Sequence, residues 1–368
     1  GFATSFIEST LAQTYKKRNE DGVFRGGPAY YIERALGQRW MSVLFAIFLL
    51  IAYGLAFNGA QSNTIAQGLS QAFSIPNWVT GVALVIITAL VIYGGLKSVA
   101  RTAEKIVPIM AIGYLAMALI VILLNITSLP GVIYDIVTNA FGLQEAVGGG
   151  MGAAVAQGLR RGLFSNEAGL GSAPNVAATA EVRHPISQGI TQSFSVFIDT
   201  IIICSCTAFV ILLGDVYVPG AEGIDGVALT QQSMVSHLGT WVQYFLSGAI
   251  LLFSFSSIIY NYYLGENAMT VLTKSPLGIL GLRIAIIAIV FLGATAPAAT
   301  AVFFFSDPMM GILALVNLLA IMMLFPVAMR LLRDFRRQLK AGVERPVLNP
   351  DDYADLDIDR DAWKLPAE

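Results

Sequence analysis

Asp199 stands midway along an apolar run, Phe194 to Leu213, that holds no basic residue. A carboxylate at membrane depth marks a functional site by default, as cation ligand, proton carrier or partner to hydroxyls; a hydrogen-bonded or protonated structural residue is the other reading. Three more polar or glycine clusters interrupt apolar runs. Asn58, Gln61 and Ser62 are three and four positions apart, so they share one helix face. They either hydrogen-bond to neighbouring helices or line a substrate cavity. Ser254, Ser256, Ser257 and Asn261 gather in another run. Neutral hydroxyl oxygens, joined by backbone carbonyls, suit a weakly held monovalent cation, although serines also bond back onto their own helix. Gly148, Gly149, Gly150 and Gly152 form the last cluster. Each glycine weakens a helix by about 1 kcal/mol relative to alanine. The run therefore invites an unwound segment whose backbone holds substrate, with close helix packing as the alternative.

Other chemistries find little support. No His-Glu-x-x-His, Gly-x-Ser-x-Gly or Walker loop occurs, which argues against an enzyme. His184 and His237 are far apart in loops, and Cys204 and Cys206 read as small packing residues. Asp357, Asp359, Asp361 and Glu368 match acidic positions of an EF-hand loop, but Ala362 replaces its turn glycine and Pro366 falls inside it, so the match reads as coincidence. No basic stripe suggests nucleic acid.

Lipid is the solvent that must position these clusters. Hydrophobic residues make up 56% of the chain and charged residues 12%, about half the usual globular share. The apolar runs lack two-residue alternation and suit helices of about 20 residues, as an all-α polytopic membrane bundle requires. We expect a partial first helix to Lys17, then eight spans near 40–72, 78–96, 104–125, 144–163, 186–213, 240–267, 279–303 and 309–332. Residues 126–142 read as an interfacial helix outside, and 165–184 as its counterpart inside. Threaded so, all 22 Lys and Arg residues fall on one side, while Asp135, Glu145, Asp215, Glu222, Asp225 and Asp307 occupy the connections on the other. Basic loops stay in the cytoplasm, so the Lys/Arg side and the tail face inward. The transporter domain spans 1–332. Residues 333–368 read as a charged, solvated and partly disordered tail without an apolar helical stripe beyond its first turns.

Two long stretches carry a resemblance. Phe164-Ser165-Asn166-Glu167-Ala168-Gly169-Leu170-Gly171-Ser172-Ala173-Pro174 resembles the "FSNEAGLGSAP" motif of the alanine or glycine:cation symporter family. Asp21-Gly22 through Gly26-Gly27-Pro28-Ala29-Tyr30-Tyr31-Ile32-Glu33 is similar to that family's "DG...GGPMYYIE" loop. Gln61-Ser62-Asn63, Phe197-Ile198-Asp199-Thr200 and Tyr262-Tyr263-Leu264-Gly265-Glu266-Asn267 match as well. The resemblance implies a LeuT-type fold of ten core helices in two inverted repeats. It implies that the chain begins inside the second core helix, without the glycine-broken first one, and that residues 1–368 alone neither bind nor transport. It places the span at 40–72 as core helix three and the glycine-rich span as core helix six. Ser256 and Ser257 fall on core helix eight, where such folds supply hydroxyls to sodium. Alanine or glycine as substrate, and sodium as co-transported ion, come from the resemblance alone.

Together these readings give a secondary symporter of the bacterial cytoplasmic membrane that imports a small neutral amino acid with sodium by alternating access. Its substrate-binding residues would be Asn58, Gln61, Ser62, Gly148, Gly149, Gly150 and Gly152, with Ser256, Ser257 and Asp199 at sodium. A proton-coupled or other small-solute carrier of the same fold, with Asp199 as relay, is the alternative.

Overall fold

The computed structural model describes residues 1–18, 22–94, 96–140, 158, 161–217, 226–297 and 299–363. The expected span at 144–163 lies almost wholly outside them. The remainder is helical apart from a two-strand hairpin, in which Lys17–Arg18 pairs antiparallel with Phe24–Arg25. The first helix, α1, is Phe2–Thr14, and α2 (Pro28–Leu36) follows the hairpin. A long composite helix comes next: α3 (Arg39–Leu49), a π-helical segment Leu50–Phe57, and α4 (Asn58–Phe73). Then come α5 (Asn77–Gly94), α6 (Leu96–Leu124) and α7 (Leu129–Ala140). A five-residue helix, α8 (Ala173–Ala177), precedes a second composite helix. It is built from α9 (Pro185–Phe197), a π-helical segment Ile198–Cys204, and α10 (Ser205–Leu212). The last α-helices are α11 (Gly226–Leu238), α12 (Trp241–Leu272), α13 (Pro276–Thr295), α14 (Ala299–Met323) and α15 (Phe325–Lys340), and two 3-10 turns, Pro350–Tyr353 and Arg360–Trp363, follow.

Five of these helices are long and apolar enough to cross a membrane: 39–73, 107–124, 185–212, 241–272 and 276–295. Counting the pair formed by 307–323 and α15, bent by 57°, as one span gives a sixth. Apolar side chains such as Leu90, Ile109, Ile112, Leu277 and Met322 stay exposed on the bundle surface, as lipid solvation allows. The interior is closed by small residues where helices meet. At Gly293 of α13 an added Cβ would lie 2.3 Å from the Gly59 carbonyl oxygen, so α4 and α13 approach too closely for any side chain there.

Two expectations fail. The connection placed at 304–308 does not exist. Helix α13 stops at Thr295, where Pro297 pushes Ala296 into extended backbone, and α14 then runs through Asp307 and Pro308 without a break. Asp307, assigned to the outer side, is 3.7 Å from Arg161, assigned to the inner side. The threading places these two residues on opposite sides, and here their side chains meet.

The tail is the second correction. The boundary at 332/333 falls inside α15, whose apolar side carries Ala328 and Leu331 into the interior. The chain then folds back. Leu348, Tyr353, Ile358, Ala362 and Trp363 form a core cluster with Phe24, Ile186 and Leu331. Lys16 is sandwiched in this cluster, its Nζ 4.1 Å from the Phe24 ring centre and 4.6 Å from that of Trp363. Arg34 forks onto Asp357 at 2.9 and 2.8 Å, and the Arg18 amide donates to Asp359. Apolar burial and paired charges replace the expected solvation.

His184 caps α9, accepting from the Ile186 amide, and its ring stands edge-on to Phe335. Burial lowers its pKa to about 4, against a weaker upward pull from Asp334. The folded state therefore favours the neutral ring. Its contribution is complete above the unfolded value of about 6.5 and is lost as pH falls toward 4. The thermal midpoint of purified protein should drop across this window, and His184→Gln should flatten that part of the profile. An identical slope in the variant would show that the ring does not cause the loss.

Candidate functional site

A cavity of about 490 Å³ opens between the two composite helices and α12. Phe57 and Gln61 line it from the first composite helix, Ser195, Val196 and Asp199 from the second, and Ser257, Tyr260 and Asn261 from α12. The segment Phe164–Glu167 closes a fourth side. Both π-helical segments reach it, one ending at Phe57 and the other containing Asp199. A π segment inserts an extra residue into a turn, rotates the helix beyond it and is common at functional sites.

Asp199 is only partly buried. Ser165 Oγ donates to its Oδ2 at 2.8 Å and Thr200 Oγ1 to the same oxygen at 3.3 Å. Among the described residues Oδ1 takes no bond, and Asp199 lines the cavity. Asn261 is buried to 3% exposure, and its Nδ2, a donor, has no partner among the described residues. The site thus offers a carboxylate for a cation or ammonium group, with an unpaired amide N–H buried in the wall beside it.

The singled-out residues divide. Gln61, Asp199 and Ser257 come together in the cavity. Asn58 does not line it; its Nδ2 donates to the Gly54 carbonyl at 2.8 Å. Ser62 donates to the Gly59 carbonyl at 2.9 Å, at the contact with Gly293. Ser256 and Ser257 both donate to the Phe253 carbonyl, at 2.7 and 3.1 Å, and only Ser257 also reaches the cavity wall. Gly148, Gly149, Gly150 and Gly152 lie outside the described residues.

Local pattern assigns no role to Ser165, Asn166 or Glu167, although they sit in the longest recognisable stretch. Asn166 Nδ2 donates to Thr200 Oγ1 at 3.0 Å, tying this turn to the second composite helix. The Glu167 carboxylate accepts from the Tyr260 hydroxyl at 2.9 Å and from Ser172. Gly171 shows why the turn needs glycine: its φ is +83°, and a Cβ would lie 2.7 Å from Pro28 Cγ and 2.8 Å from Phe45 Cζ.

Apolar spans and a polar cavity shared by two helices with π-helical segments are what a membrane carrier would need. Comparison narrows the class. The chain matches the sodium:alanine symporter family over residues 1–350 and belongs to it. It is 47% identical to the "Probable sodium/glutamine symporter GlnT" of Bacillus subtilis (strain 168), over 95% of this chain and 72% of that protein. It is also 47% identical to the "Amino-acid carrier protein AlsT" of the same organism, over 94% and 73%. Identity is 33% to the "Sodium/proton-dependent alanine carrier protein" of Bacillus sp. (strain PS3), over 96% and 82%. The chain is accordingly an amino-acid:cation symporter and not an enzyme.

Proposed function

We propose that this symporter carries a small neutral amino acid, alanine or glycine, into the cell with sodium, and that the cavity between the composite helices and α12 is where both bind. The observation that carries this reading is the convergence of Gln61, Asp199, Ser257 and Asn261 from three helices on one cavity. Asp199 Oδ1 and the Ser257 hydroxyl offer oxygen to sodium, a hard cation. The Asn261 amide suits the substrate carboxylate, and Gln61 can accept from its ammonium group. The glycine run at 148–152 would add backbone groups to the substrate side. Asn58 and Ser62 would shape the wall through their own helix rather than touch substrate. The fold is of the LeuT type in this reading, with access alternating between the two faces. The Lys/Arg-rich connections and the tail face the cytoplasm of a bacterial inner membrane.

Glutamine is the second reading, favoured by the 47% identity to a protein named a sodium/glutamine symporter. A cavity of about 490 Å³ has room for the longer side chain.

Ser257→Ala tests the sodium assignment. Losing one of about five oxygen ligands should raise the sodium needed for half-maximal uptake roughly tenfold. Coupling is reciprocal, so substrate affinity at fixed sodium should fall as well. Ser256→Ala should change sodium dependence much less, because its hydroxyl only bonds back to Phe253. An unchanged sodium dependence in Ser257→Ala, at normal protein abundance, would remove Ser257 from the site.

A further inference from the structure

Glu8 lies on α1, fully buried and outside the cavity lining. Both of its carboxylate oxygens meet donors: the Gly169 amide at 3.0 Å on Oε1 and Asn317 Nδ2 at 2.7 Å on Oε2. Donors are what a carboxylate takes and what would repel a metal cation, so this is not a second cation site. Asn317 is fixed in turn. Its Nδ2 also donates to the Gly169 carbonyl at 2.9 Å, and its Oδ1 accepts from the Tyr31 hydroxyl. Glu8, Asn317 and Tyr31 are all fully buried. Gly169 is therefore gripped through its amide and its carbonyl by residues of α1 and α14, with α2 behind them.

Two positions before this grip, Glu167 holds a φ of +53°, in the left-handed region that a non-glycine residue occupies only when its surroundings enforce it. That backbone turns its carboxylate toward Tyr260 and the cavity. We propose that Glu8 is a positioning residue for the transport site: it clamps Gly169, holds the 165–169 turn, and so keeps the Glu167 carboxylate and Ser165 at the cavity, setting cation affinity without touching the cation. The proposal rests on the reading of the cavity as the substrate and cation site.

Glu8→Gln keeps the shape but sets an amide N–H against the Gly169 amide or against Asn317 Nδ2. Glu8→Gln combined with Asn317→Asp restores an acceptor for the Gly169 amide but leaves the Gly169 carbonyl without the N–H that Asn317 gave it. The carboxylate introduced on α14 takes the N–H of the amide introduced on α1, and that amide's oxygen takes the Gly169 N–H. Two readouts are made on the intact protein in membranes: the sodium dependence of alanine uptake, and the rate at which Ser165→Cys, in a Cys204→Ala/Cys206→Ala background, reacts with a small permeant thiol reagent. In Glu8→Gln the half-saturating sodium should rise roughly tenfold, with maximal rate per transporter little changed, and thiol labelling at position 165 should change several-fold. The double variant should return both part of the way toward the parent, because the Gly169 amide regains its acceptor while its carbonyl does not regain its donor, an outcome that loss of packing alone would not give. Tyr31→Phe, which only frees Asn317 to turn, should move both readouts the same way by a smaller factor, and it carries the test if Glu8→Gln fails to reach the membrane. Unchanged labelling in both variants would overturn Glu8 as a positioning residue. Changed labelling with unchanged sodium dependence would instead overturn the cavity as the cation site.

Discussion

Asp199→Asn should nearly abolish sodium-driven uptake at ordinary sodium concentrations while leaving the protein in the membrane at normal abundance. Asn preserves shape and can still accept from Ser165 and Thr200, whose hydroxyls both point at Oδ2. The substitution removes the charge from a carboxylate that lines the cavity. Two unit charges about 4 Å apart interact by about 4 kcal/mol at an effective dielectric constant near 20. At about 1.4 kcal/mol per tenfold, that corresponds to a loss of roughly a thousandfold in cation affinity. Raising external sodium should recover part of the uptake, because a binding defect is titratable and a folding defect is not. Titration of radiolabelled alanine uptake against sodium, with abundance followed by immunoblot, reads this directly. A variant with parental sodium dependence would make Asp199 a structural hydrogen-bond acceptor and nothing more.

Gly293→Ala should destabilise the bundle far more than its single methyl suggests. The new Cβ would sit 2.3 Å from the Gly59 carbonyl oxygen, 2.5 Å from Gly59 Cα and 2.5 Å from Ser62 Oγ. Two of those neighbours are backbone and cannot rotate away. Helices α4 and α13 must then separate, at a cost of about 1–3 kcal/mol or more. Gly281 lies on the same helix, and a Cβ there meets nothing within 4 Å. Gly281→Ala is the matched control, expected to be neutral or slightly stabilising through helix propensity. Thermal unfolding of the purified variants in one detergent compares them. Equal midpoints for the two would contradict the close contact of α4 with α13.

Apolar run length made the helices legible, because backbone in lipid has few ways to satisfy itself. Their ends were less so. Pro308 looks like a breaker yet lies within α14, whereas Pro297, eleven positions earlier, marks the real break. The tail hid its packing because Leu348, Tyr353, Ile358 and Trp363 follow no helical or strand period; they meet only through the fold-back onto Phe24 and Ile186. At the site, helical spacing put Asn58, Gln61 and Ser62 on one face, but only Gln61 reaches the cavity. The Gly54 carbonyl captures the Asn58 amide, and the Gly59 carbonyl captures the Ser62 hydroxyl. Nothing in local spacing could show that. Glu8 stands out by no local pattern. Its meaning depends on Gly169 and Asn317, which are 161 and 309 positions away.

The central claim is that one cavity binds a small neutral amino acid together with sodium and uses the sodium gradient to drive import. Its most direct test is uptake of labelled alanine by the intact protein reconstituted in liposomes, with an inward sodium gradient, an equal potassium gradient or a proton gradient alone, each with and without excess glycine or glutamine outside. Alanine should accumulate only under the sodium gradient, be displaced by glycine, and fail to accumulate in the Asp199→Asn protein at the same sodium concentration. Accumulation under the proton gradient with sodium absent, or glutamine accumulation without any of alanine, would contradict the account.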